Sequence, residues 1–147
     1  MRRRSRLAAV LGTSLLLAAC SSPTASPTAS PTVTPSDLPA APAVVTFDVA
    51  DQGTYSIELV TDEQIAHVGD LMAGGEDGRI PSGRIVRDGD GGVNAPYSWH
   101  IDPRSLEFVD VTTEVCDGLP EYVEDGTLTS DIYCPWNATV VDLRPLG

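Results

Sequence analysis

From residue 44 onward the chain switches between two hydrophobic periods. Val45, Phe47 and Val49 alternate with Thr46 and Asp48, and Tyr55, Ile57 and Leu59 alternate with Ser56 and Glu58. A period of two is that of a strand with one buried face. Asp51-Gln52-Gly53 between the runs is turn chemistry, so the pattern predicts a hairpin over 44–50 and 54–60. The period then lengthens. Ile65, Val68, Leu71 and Met72 recur at helical spacing, Thr61 with Gln64 three residues later forms a capping box, and Gly74-Gly75 stops the helix. His67 falls off the apolar face and is expected in solvent.

Residues 78–87 read as a strand interrupted by Pro81 and Gly83, hence an edge or a bulge. Asp88-Gly89-Asp90-Gly91-Gly92 reads as a flexible acidic turn. Residues 98–101 predict a strand, Asp102-Pro103-Arg104-Ser105 a turn, and 106–115 the longest strand. Tyr97, Trp99, Ile101, Leu106, Phe108, Val109, Val111 and Val115 supply most of the large side chains of the second half, which makes 97–117 the expected central strand pair. Residues 120–125 predict a short helix carrying Tyr122 and Val123, residues 128–133 lead to Cys134, and Thr139, Val141 and Leu143 alternate in a last strand. The expected fold class is α+β: a small, mainly antiparallel β-sheet domain of about six strands, one packed helix, a short second helix and one disulfide.

The residues before 44 have a different character. Arg2, Arg3, Arg4 and Arg6 precede an apolar run over 7–19, too short to span a bilayer as a mature helix, which predicts a signal peptide over 1–19. Arg6 stands where a twin-arginine signal needs an apolar residue, so general secretion is the expected route. Leu17-Ala18-Ala19-Cys20 resembles the lipobox of bacterial lipoproteins, with Cys20 as the lipidated residue and the mature N-terminus. Residues 20–43 form a Pro/Ser/Thr-rich linker with a short SPTA repeat, which can build neither ladder nor core; extended, it reaches roughly 70 Å. The expected location is the outer face of a bacterial membrane, extracytoplasmic and held by lipid alone, with the domain over 44–147.

Three cysteines are an odd number. Lipidation of Cys20 leaves Cys116 and Cys134 to pair in an oxidising compartment. The net charge is −12, and residues 44–147, which exclude the N-terminal arginines and Asp37, carry −15 with no lysine. Such a surface repels phosphate backbones, so nucleic acid is an unsuitable partner.

The candidate chemistry is sparse. Asp88 and Asp90 resemble half a calcium loop that lacks its closing glutamate. His100 and Asp102 would share one face of a strand, a geometry that suits a metal or a proton relay; an enzyme would rest on His100 with Asp102, Asp110 or Glu114. Trp99 and Trp136 join His100 and Asp102 as candidate binding residues. Two acidic, glycine-bearing stretches, 88–94 and 117–131, are candidate contact surfaces. Asn137-Ala138-Thr139 is a glycosylation sequon, with little weight on a bacterial chain.

Five blocks together resemble the BP-seventy-four N-terminal domain family, that of a slime-mould calmodulin-binding protein found also in bacterial secreted proteins. They are the hairpin start at Phe47, the segment from Ile80 to Ile85 with Gly83, Tyr97-Ser98-Trp99-His100-Ile101-Asp102-Pro103, Glu114-Val115-Cys116-Asp117, and Cys134-Pro135-Trp136. The family pattern has tryptophan and phenylalanine where this chain has Tyr97 and Trp99. No activity carries over from the family to residues of this chain, calmodulin binding is not carried over, and no cofactor is expected. The stalk, the small cross-linked domain and the incomplete catalytic set favour a binding module. The expected function is therefore a surface-anchored lipoprotein displaying a non-catalytic binding or inhibitor-like domain, expected to be monomeric, for an unknown protein or cell-envelope partner. The alternatives are a hydrolase built on His100 and a calcium-dependent module.

Overall fold

In the computed structural model, which describes residues 38–147, the two alternating runs pair as β1 (Ala43–Val49) and β2 (Gly53–Leu59), with Val45 opposite Ile57 and Phe47 opposite Tyr55. The expected signal peptide, Cys20 and residues 20–37 of the linker lie outside the described residues. The hairpin turns one residue earlier than its glycine suggests. The Gln52 N–H donates to the Val49 carbonyl at 3.0 Å, and Ala50 and Asp51 occupy the turn centre at φ 55° and 57°. Non-glycine residues reach that left-handed region only at a cost.

The capping box forms as its residues dictate. Thr61 accepts from the Gln64 N–H at 3.2 Å, and the Gln64 side chain accepts from the Thr61 N–H at 3.2 Å, opening α1 (Asp62–Met72). Gln64 also donates to the Pro103 carbonyl at 3.0 Å, tying the helix start to a distant turn. Ile65 and Val68 are buried, whereas Met72 is 38% exposed. Packing begins before residue 44. Leu38 lies so close over Gly69 that a Cβ there would meet Leu38 Cδ1 at 2.6 Å, and Leu38 and Ala41 pack against the core.

β3 (Ile80–Val86) corrects the reading of an edge or bulged strand. It pairs with β4 (His100–Ile101), β5 (Glu107–Val109) and β6 (Ile132–Tyr133), and so is the hub of the second sheet. Gly83 is needed because Ile101 Cγ2 lies directly over it, not because the strand bulges. The expected longest strand, 106–115, is also corrected. Only Glu107–Val109 pairs, because Val109 is already opposite Ile80, the first residue of β3, and no partner remains beyond it. The chain then leaves the sheet, with Val111 84% and Val115 74% exposed, and enters a 3-10 turn at Glu114–Cys116.

The longest strand is β7 (Ala138–Pro145), which completes the first sheet in the order β2-β1-β7. Thr46 faces Asp142 and Phe47 faces Val140, so Val141 is the extra residue of a bulge and is 55% exposed. The inward positions are Ala138, Val140 and Leu143, which corrects the regular Thr139/Val141/Leu143 alternation. A short α2 (Pro120–Glu124) brings the described strands and helices to seven and two, an α+β domain. The Arg87 guanidinium ties α2 to the segment after it by donating to the carbonyls of Val123 at 2.7 Å and Leu128 at 2.9 Å. No described helix is long and apolar enough to cross a membrane.

The sheets meet through aromatic rings. Tyr55 of β2, Tyr133 of β6 and Trp99 lie with ring centroids 5.1–6.0 Å apart, the two pairs with Tyr133 edge to face. Phe47 stacks on Tyr55 at 5.6 Å, and the Tyr97 ring is tilted against that of Trp99 at 5.6 Å. Asn94 is the buried polar residue beside them, 1% exposed. Its oxygen accepts from the Ser56 N–H at 2.8 Å, and its amide donates to the Trp99 carbonyl at 2.8 Å.

Buried polar groups in this core fall into two kinds, with opposite expected outcomes. The Tyr55 hydroxyl and Trp99 Nε1 are buried with no hydrogen-bond partner among the described residues. Tyr55→Phe should therefore leave stability unchanged or raise it by about 1 kcal/mol, whereas Asn94→Ala, which orphans two backbone groups, should cost about 2–3 kcal/mol. Urea unfolding of both variants checks this; the reverse order would contradict it.

Alkali should act through the same cluster. Partial burial, with Glu121 and then Glu124 beside it, pushes the Tyr97 hydroxyl up to about 12, and burial raises Tyr55 and Tyr133. The fold thus stabilises the neutral phenols. For Tyr97 that stability is complete below the unfolded value of 10.0 and is lost as pH rises through about 12. Melting temperature should fall across this window, and less steeply in Tyr97→Phe; a flat profile from pH 9 to 12 would contradict the assignment.

Candidate functional site

His100 and Asp102 sit at the end of β4, but each is engaged with a loop. His100 Nδ1 lies 2.8 Å from the Gly89 carbonyl, and its ring is so close to Gly91 that a Cβ there would meet it at 2.7 Å. Asp102 faces Arg84 at 3.6 Å and accepts from the Arg104 N–H at 3.1 Å. No hydrogen bond joins the two. Asp110 accepts from the Gly78 N–H, and Glu114 opens the 3-10 turn.

Asp90 accepts from the Gly92 N–H at 2.9 Å, in the manner of an Asx turn. No group of three metal-ligating side chains occurs among the described residues. With His100 on Gly89 and Asn94 in the core, the 88–94 loop is held at both ends, which corrects the picture of a free acidic turn. His67 is also not in solvent. Its ring lies 4.4 Å from that of Phe108, and Nε2 is 3.0 Å from the Gly78 carbonyl.

The two tryptophans separate. Trp99 is 1% exposed and belongs to the core, so it offers no face to a partner, which corrects its place among the candidates. Trp136 is 40% exposed, and the fold fixes its orientation. Its backbone N–H donates to Asp117 Oδ1 at 2.8 Å and its indole N–H donates to Thr112 Oγ1. The reason is local. Cys116 and Cys134 are bonded with Cα atoms 5.1 Å apart, and the Cys134 N–H donates to the Cys116 carbonyl at 2.8 Å. Trp136 follows two residues later, so the disulfide sets it against the segment that carries Thr112 and Asp117.

Trp136 lines two neighbouring concavities, of about 380 and 370 Å³. Arg79 lines both, and a third of about 200 Å³ between α1 and β7. Sequence reasoning missed Arg79, although it is one of only five cations in residues 44–147. It is exposed and forms no ion pair among the described residues, where the two ion pairs use Arg84 and Arg144. Glu76 and Asp110 stand on one side of it, Asp48 and Asp51 on the other. The left-handed turn at Ala50 and Asp51 forms part of the same wall. It is held there by the Ala50 N–H on the Asn137 carbonyl at 3.1 Å and by the Asp51 N–H on Asp48 Oδ2 at 2.8 Å. The arrangement combines a fixed aromatic face, one free guanidinium and several planar polar groups. It has the elements of a binding surface; it has no nucleophile and base in contact.

No curated protein and no solved structure is significantly similar to the chain. One family model, that of the BP-seventy-four N-terminal domain, matches residues 41–147, from just before β1 to the last residue. That span takes in the hairpin, the Tyr97-to-Pro103 block, the disulfide and Trp136. The chain belongs to the BP-seventy-four N-terminal domain family.

Proposed function

We propose that the chain is a lipoprotein, anchored through Cys20 to the outer face of a bacterial membrane, that displays a non-catalytic binding domain whose contact surface is the Trp136–Arg79 face. The observation that carries this reading is Trp136. A large apolar side chain stands 40% in water while a disulfide, Asp117 and Thr112 hold it in one orientation. Leaving apolar area exposed forgoes burial energy, and fixed exposed aromatics recur as anchors of binding sites. Val111, 84% exposed and flanked by the anchored Asp110 and Thr112, extends the same surface.

The anchor is supported by the sequence around Cys20 and by the two remaining cysteines bonding to each other. The linker then sets the domain at a distance from the bilayer, where a firm lipid hold and a long reach suit capture of an envelope component.

Two measurements test the reading. Metabolic labelling with an alkyne fatty acid should tag the wild type and not Cys20→Ala; equal labelling would refute the anchor. Immobilised protein should retain a component of the host envelope fraction. Trp136→Ala should reduce that retention roughly tenfold, while Tyr122→Ala, also exposed, should not. Retention indifferent to Trp136 would move the contact surface elsewhere.

A further inference from the structure

The cleft between the β1–β2 turn and the start of β7 carries a ligand class of its own. Its walls are Asp48, Asp51, Arg79, Trp136, Asn137 and Thr139, in a concavity of about 370 Å³. We infer that this cleft binds an uncharged oligosaccharide, one pyranose ring lying against Trp136 and its hydroxyls bonded by the polar wall. The inference rests on the Trp136–Arg79 surface being the binding face, and names what that face takes.

Three features argue for this class. The first is the mixture of groups. A sugar ring offers apolar C–H faces and a rim of hydroxyls that each donate and accept. Recognition therefore needs an aromatic plane beside planar side chains of both kinds. Trp136 supplies the plane, Asp48 and Asp51 accept, Arg79 donates at several N–H groups, and Asn137 and Thr139 do both. The second is that these groups are free. The side chains of Asp51, Arg79, Asn137 and Thr139 make no hydrogen bond or ion pair among the described residues, and Asp48 spends one oxygen on the Asp51 N–H. The third is fixity. The Ala50–Asp51 turn is held in the left-handed region, and the Trp136 indole is bonded through Nε1, so the turn backbone and the indole lose little freedom on binding.

Charge and size select against the alternatives. Four carboxylates near a single guanidinium disfavour an anionic sugar or a phosphate. A protein partner is the competing occupant. A stable protein interface buries on the order of 800 Å² per side around an apolar centre, whereas this cleft is polar and of the size that takes a small ligand.

The test uses the full-length chain in a polyoxyethylene detergent, which carries no sugar headgroup. Cellotriose, xylotriose, maltotriose, mannotriose, N,N′,N″-triacetylchitotriose and the anionic trigalacturonate are titrated at millimolar concentration by calorimetry and by tryptophan emission. Trp99 is buried, so a shift in emission reports Trp136. At least one neutral trisaccharide should bind saturably and shift the emission to the blue. Trp136→Ala and Arg79→Met should each weaken it roughly tenfold, and trigalacturonate should not bind. Arg79→Met changes an exposed side chain, so it keeps the test decisive if Trp136→Ala misfolds. No binding by any neutral trisaccharide, binding that survives Arg79→Met, or preference for the anion would overturn the inference. If no trisaccharide binds while envelope retention still depends on Trp136, a protein is the occupant and only the saccharide assignment falls. If both fail, the binding face itself is wrong.

Discussion

Tyr55, Trp99 and Tyr133 come from three separate segments and meet where the two sheets face each other; the rest of the domain depends on that meeting. Each ring removes on the order of 150–250 Å² from water, so the three contribute about 11–19 kcal/mol of gross burial, an upper estimate. The disulfide, closing 18 residues of sequence separation, contributes roughly 3 kcal/mol on the chain-entropy view. In gross burial the ring cluster is thus the larger contribution. The cross-link does something else: it sets the short segment after Cys134 against the segment before Cys116, and so decides where Trp136 points.

That division explains how the two ends of the domain differ. Around the rings, several polar groups hold the structure: Asn94 holds β2 to the Trp99 backbone, Arg87 gathers carbonyls of α2 and of the segment after it, and Glu124 accepts from Ser98 at 2.8 Å. Around Trp136, the side chains of Asp51, Arg79, Asn137 and Thr139 make no hydrogen bond or ion pair among the described residues, and the backbone of the β1–β2 turn accepts an unfavourable conformation beside them. His100 and Asp102 belong to the first kind: they fasten loops and are not paired with each other.

What could be read beforehand was what is local. The hairpin follows from alternation over seven-residue runs, the capping box from two residues three apart, and the disulfide from an odd cysteine count. What could not be read depended on distant partners. Residues 110–115 keep a strand-like pattern, yet they find no pairing strand because β3 begins at Ile80. Val141 continues an alternation that a bulge against β1 interrupts. Leu38 looks like linker until Gly69 leaves space for it. At the site, one signal was available: Trp99 alternates with Ser98 and His100 in phase with Tyr97 and Ile101, which marks it as inward, whereas Trp136 has no such phase. Arg79 left no trace in any pattern, since its standing comes from three concavities that meet only in the fold.

The ring cluster thus holds the fold, while the disulfide end carries the face proposed for binding. Amide chemical-shift mapping of the labelled chain, with and without a solubilised envelope extract, tests this division most directly. Shifts should concentrate at Asp48, Asp51, Arg79, Thr112, Trp136 and Thr139, with the amides of Tyr55, Trp99 and Tyr133 unmoved. Shifts centred on residues 88–94 and His100, with Trp136 and Arg79 silent, would contradict it.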